Sequence, residues 1–120
     1  MNVAIKRVYE PAASTDGYRI LVDRLWPRGV THEAARIDDW VPDLGPSSEL
    51  RRWFNHDPAR FDEFRRRYTL ELATKKEKLA ELRRRARTRR LTLVYSARDT
   101  EHNDAVVLAE VLRHGIRETR

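Results

Sequence analysis

Two short stretches of this 120-residue chain gather side chains that can do chemistry. One is Asp23-Arg24, with Arg28 close behind in a Pro-Arg-Gly turn; the other is Arg98-Asp99, followed by His102-Asn103. Guanidinium groups make bidentate contacts with phosphate or carboxylate, and a histidine can exchange a proton near neutral pH. If Asp99 or Thr100 caps a helix, His102 and Asn103 fall in its first turn, where unpaired backbone N–H groups favour anions. Asp23, Arg24, Arg28, Arg98, Asp99 and Asn103 therefore read as a binding set for a small anionic ligand. His102, His56 and Asp99 are the candidates for acid/base catalysis, although Asp57, next to His56, is better used as the cap of a helix starting at Pro58. A purely structural reading also exists: Asp23 paired with an arginine, Asp99 as a cap, and Arg24 and Arg28 in surface ion pairs.

Several other chemistries have no support in the residues. Without cysteine there is no thiolate nucleophile, disulfide or zinc-thiolate site. The four histidines show neither H-x-x-x-H nor H-E-x-x-H spacing, so no metal is expected, and His32 and His114 read as surface residues. Glycines at 17, 29, 45 and 115 never approach a dinucleotide or P-loop pattern, so no cofactor is expected. No serine sits in a nucleophile elbow.

The elements that would position these side chains follow from patterning. Val3 to Tyr9 alternates loosely and runs into turn-forming residues ending at Gly17, which marks a strand and a loop. Tyr18 to Trp26 carries the apolar run Ile20-Leu21-Val22 and reads as a buried strand with a polar exit. Thr31 can cap a short helix, and a second helical piece from Asp38 would turn Ile37, Trp40 and Val41 inward and stop at Pro42. Ser47 caps a helix bearing Leu50, Trp53 and Phe54 on one face. From Pro58 the stripe Phe61, Phe64, Tyr68, Leu72, Leu79, Leu82 and Ala86 keeps helical phase. One helix to Arg87 would be about 45 Å long, so a break is expected near Ala73 to Lys76. Leu91 to Ala97 suits a central strand, and the last helix buries Ala105, Val106, Leu108, Ala109, Val111 and Leu112 before Gly115. Strands separated by helices imply an α/β fold over residues 1–120: a small, mainly parallel sheet of three or four strands covered by helices. Parallel pairing would bring the two polar exits into one crevice at the carboxyl ends of the strands.

The net charge of +6 is unevenly spread. Between Lys75 and Arg90 there are nine basic and two acidic residues, while the other 104 residues carry 16 basic and 17 acidic ones. Lys75, Lys76, Arg83, Arg84 and Arg87 thus offer an alternative function, binding nucleic acid or a protein partner. Against sequence-specific readout, no aromatic residues interleave with these arginines and no helix-turn-helix or zinc-finger signature appears. No apolar run approaches the roughly 18 residues a membrane span needs, so no membrane partner is expected and the cytoplasm is the default location.

The block Asp16-Gly-Tyr-Arg-Ile-Leu-Val-Asp-Arg-Leu-Trp-Pro-Arg-Gly29 resembles the signature of the YeaO-like family, a bacterial and archaeal domain of unknown function. Ile37-Asp-Asp-Trp40, Leu50-Arg-Arg-Trp-Phe54, His56-Asp-Pro58, Thr92-Leu-Val-Tyr95, Ala97-Arg-Asp99 and Asn103-Asp-Ala-Val-Val-Leu108 match in order, so the resemblance spans about Ile5 to Leu112. It implies no substrate, since the family has no agreed activity. Position 104 departs from the pattern, where His or Gln is common. The resemblance therefore leaves Arg24, Arg28, Arg98, Asp99, His102 and Asn103 as the matched polar set and sets Asp104 aside.

Overall fold

The computed structural model describes residues 1–116. Four strands form one parallel sheet: β1 (Val3–Arg7), β2 (Tyr18–Leu21), β3 (Asp39–Trp40) and β4 (Leu91–Tyr95), in the spatial order β1-β4-β2-β3. The central position of β4 follows from its composition: all five residues are buried, and Val94 lies opposite both Lys6 and Leu21. A strand covered on both faces can be apolar throughout without exposing anything.

Pleating separates the two faces. Ile20, Leu91, Leu93 and Tyr95 join the main core against α2 (Ser48–Phe54), α3 (Phe61–Leu72), α4 (Lys76–Thr88) and α5 (Asp104–His114). Leu21 and Val94 point to the thinner side, where Val8 and Ala35 of the short α1 (His32–Ala35) cover them. This thin side also holds a buried ion pair. Arg19 donates from Nη1 to Asp16 at 2.6 Å and from Nε and Nη2 to the Ala35 carbonyl, and Lys6 reaches the same carboxylate at 3.1 Å. Burial alone would raise the Asp16 carboxyl, but the Ala13 N–H, Lys6 and Arg19 together hold it below its ordinary value.

The helical stripe breaks where expected: α3 ends at Leu72, and α4 begins at Lys76 after hydrogen bonds from Thr74 and Lys75 close the turn. Ser47 and Thr31 cap α2 and α1, accepting from the N–H groups of Leu50 and Ala34. Asp57 accepts from Ala59 over a single turn, Pro58–Arg60, that leads into α3.

Three expectations fail. Residues 38–41 are not helical: Asp38 and Val41 donate to the Arg19 and Leu21 carbonyls, making β3 an edge strand, and Trp40 is 39% exposed rather than turned inward. Two residues of strand are too few to show a period of two, and Pro42 opens a turn to Leu44 instead of ending a helix. The last helix also starts later than expected. Asn103, not Asp99 or Thr100, caps it by accepting from the Val106 N–H, so His102 and Asn103 precede the first turn. In addition, Val107 is fully buried whereas Val106 is only partly so.

Candidate functional site

Because β2 and β4 are parallel neighbours, their carboxyl ends deliver Asp23 and Ser96 side by side, and the Asp23 carboxylate accepts the Ser96 N–H at 2.9 Å. Beyond them opens a concavity of about 370 Å³. Arg7 braces the β4 exit, donating to the Ala97 and Ser96 carbonyls. The β2 exit is braced by Trp40, whose indole N–H donates to the Asp23 carbonyl at 2.8 Å.

The Leu25-Trp-Pro-Arg-Gly29 turn forms one wall. Trp26 donates to the Val30 carbonyl, stacks on His32 at 3.9 Å between ring centroids and meets the edge of Trp40. Gly29 takes the positive φ of 72° that ends the turn, and the Tyr9 hydroxyl donates to the Arg28 carbonyl at 3.0 Å. A backbone pinned from both sides thus presents the exposed Arg28 side chain at the rim. The opposite wall comes from α2 and α3: Phe54 stacks on Phe64 at 4.3 Å, with Arg51 and His56 beside them. Asn55 and His56 both adopt left-handed backbone conformations, φ 47° and 55°, as the chain leaves α2. Such geometry costs a non-glycine residue free energy and brings His56 back to the cavity mouth.

The floor holds a residue that sequence reasoning had set aside. Asp104 opens α5, accepts the Ala105 N–H at 2.9 Å and lines the cavity together with Asp23. Burial first, and the Asp23 charge second, push the Asp104 carboxyl well above the ordinary carboxylate range. Both effects favour the protonated form of the Asp104 carboxyl. The signal available in the sequence was positional, since Asp104 begins the helix that follows the β4 exit and packs on β4 and β1.

The other site residues divide into those that face the cavity and those that do not. Arg24 lines it, but its Nε and Nη2 donate to the Pro46 and Gly45 carbonyls at 2.9 and 3.1 Å, tying the 42–46 segment to the β2 exit. Gly45 also lies close against the β2 exit: a Cβ there would sit 2.9 Å from the Arg24 backbone nitrogen and from the Val22 carbonyl oxygen. Asn103 is buried as the α5 cap, donating to the Asp99 carbonyl. His102 lines the cavity, with Nδ1 2.9 Å from Asp99 and its ring edge-on to Phe61. Asp99 itself lies behind His102 and also accepts the Glu101 and His102 N–H groups. Arg98 is exposed and is not among the cavity-lining residues, because the chain turns away after Ala97.

Arg28 and Arg51 differ from these residues. Among the described residues, neither guanidinium makes a hydrogen bond or an ion pair. Arg51 sits one position from the apolar α2 stripe, on the flank that turns towards the cavity, and sequence reasoning missed it.

The basic segment is partly committed to structure. Arg83 donates to the Leu112 and Val111 carbonyls at the end of α5, and Arg85 lies 4.1 Å over the Tyr18 ring. Lys75, Lys76, Arg84 and Arg87 remain on the surface. Among the described residues no group of three or more histidine, cysteine or carboxylate side chains has metal-binding geometry, and no helix is long and apolar enough to cross a membrane.

The parallel sheet and its signature turn belong to a recognised class: residues 2–120 match the family profile described as the inactive DUF488-N3 subclade, and the chain belongs to that family. It is similar to the uncharacterized protein YeaO of Escherichia coli K12, 46% identical over 113 residues, covering 94% of this chain and 98% of the relative. It is also similar to the uncharacterized protein Rv3073c of Mycobacterium tuberculosis H37Rv, 44% identical over 111 residues and covering 92% and 93% of the two chains. No solved structure matches the chain.

Proposed function

We propose that this protein binds a small anionic, phosphate-bearing ligand in the crevice beyond β2 and β4, with Arg28 and Arg51 receiving the anion. The observation that carries this reading is the pair of guanidiniums lining one concavity without a partner among the described residues. Nearby arginines are spent on the fold: Arg24 on the 42–46 carbonyls, Arg7 on the β4 exit and Arg65 on Glu110. An unpaired guanidinium on a shaped wall is poised for bidentate contact. The cavity volume falls within the roughly 300–1,000 Å³ of small-molecule sites, and its place at the strand ends is where ligands of parallel sheets gather.

The family description, an inactive subclade, favours binding without turnover. A catalytic version would use His102, oriented by Asp99 through Nδ1, as the proton carrier. The cysteine-free chain suits the reducing cytoplasm, where we place this function.

A thermal-shift screen of phosphorylated metabolites and short oligonucleotides tests the reading, because a ligand of the native state raises the melting temperature. Stabilisation by a small phosphate compound, abolished by Arg28→Ala with Arg51→Ala, is expected. Stabilisation by oligonucleotides alone, fading steeply with salt and lost on charge reversal at Arg84 and Arg87, would overturn it in favour of the α4 surface.

A further inference from the structure

We propose that the ligand is a sugar phosphate, seated with its hydroxyls on Asp23 and Asp104 and its phosphate at Arg28 and Arg51. This rests on the anion-binding reading above and deepens it. The floor and the rim of the cavity have opposite character. At the rim stand the two unpartnered guanidiniums, with His56 and His102 nearby. On the floor, Asp23 and Asp104 meet with no cation beside either: neither forms an ion pair among the described residues.

Each floor carboxyl has one oxygen occupied by backbone, Asp23 by the Ser96 N–H and Asp104 by the Ala105 N–H. Both residues line the cavity. An anion placed there would meet like charge, so a phosphate is confined to the rim. The deep end calls for a hydrogen-bond donor, and hydroxyls supply it: each of the two carboxyls has one oxygen free of the backbone to accept from them. Phe54, Phe64 and Pro27 supply apolar walls between floor and rim, suited to the C–H faces of a sugar ring.

Isothermal titration of the full chain with ribose 5-phosphate, glucose 6-phosphate, O-phosphoserine and inorganic phosphate separates the possibilities. At least one sugar phosphate is expected to bind more than about tenfold tighter than inorganic phosphate, as hydrogen bonds to charged groups predict. Asp23→Asn and Asp104→Leu should each bring it down to the inorganic phosphate level while leaving phosphate binding intact, which also shows that the variants fold. Equal affinity for sugar phosphates and inorganic phosphate, with both lost in Arg28→Ala/Arg51→Ala, would overturn this inference but keep the anion reading. Tightest binding by O-phosphoserine would overturn the hydroxyl assignment. No binding by any of the four would overturn both.

Discussion

Asp16 and Asp23 flank the same strand, β2, and meet opposite surroundings. Before the strand, Asp16 is buried and closed on every side: Lys6 and Arg19 neutralise it, and the Ala13 N–H occupies a further lone pair. After the strand, Asp23 and a second carboxyl, Asp104, line one cavity, and neither forms an ion pair among the described residues. Pairing at the amino end spends charge on holding the sheet to its thin cover. At the carboxyl end the charged groups are left open to the cavity, which is where ligands of parallel sheets gather. The same division separates the arginines, since Arg19 and Arg24 hold backbone carbonyls while Arg28 and Arg51 hold nothing within the described residues.

Perturbing the closed end should have the largest effect on stability. Arg19→Ala leaves Asp16 with only Lys6 and frees the Ala35 carbonyl; a loss of about 3–5 kcal/mol is expected in urea denaturation. A loss below about 1 kcal/mol would show that the pair is not the structural clamp assigned to it.

At the carboxyl end the backbone, not the charge, should be sensitive. Gly45→Ala drives a methyl against the Arg24 nitrogen and the Val22 carbonyl, with an expected cost of about 1–3 kcal/mol in the same assay. The variant should also weaken ligand binding by loosening the Arg24 tie.

The acid pair gives a signed pH effect. Asp104 titrates higher in the folded than in the unfolded chain, so the native state binds more protons between the two values. Its contribution is complete below the unfolded value and is lost as pH rises through the folded one. Asp104→Asn removes this loss: measured from about pH 5 to about pH 8, the variant should gain stability relative to the parent. A constant difference across that range would contradict the assignment.

The smallest stability effect is expected at the rim. Arg28→Ala and Arg51→Ala should each change stability by no more than about 0.5 kcal/mol, since neither side chain holds any part of the described fold. Both should nevertheless reduce anion binding, and that dissociation of stability from binding distinguishes them from Arg19.

Much of this arrangement was readable in the chain. Apolar runs and turn formers located three of the four strands, and the break between α3 and α4 followed from length alone. The polar exits after Leu21 and Tyr95 lie at the same end of the sheet, and Asp23, Arg28 and His102 line one cavity there. What escaped depended on packing. The two-residue β3 has no period to detect, and its identity comes from the Arg19 and Leu21 carbonyls it pairs with. Arg51 looked like one more helical surface charge until α2 was placed against the cavity. Arg98 is only two residues beyond Ser96, yet the turn carries it out to solvent. Asp104 departs from the family pattern, and only the packing that puts it in the cavity lining with Asp23 brings it into the site.

The contrast between the two ends of β2 can be read in one experiment, a ¹³C NMR titration of the aspartate carboxyl groups. Asp16 should titrate below the ordinary carboxylate range and Asp104 well above it, in the same sample. Asp104 titrating with the exposed carboxylates would contradict the raised carboxyl at the cavity and remove the distinction between a closed amino end and an open carboxyl end.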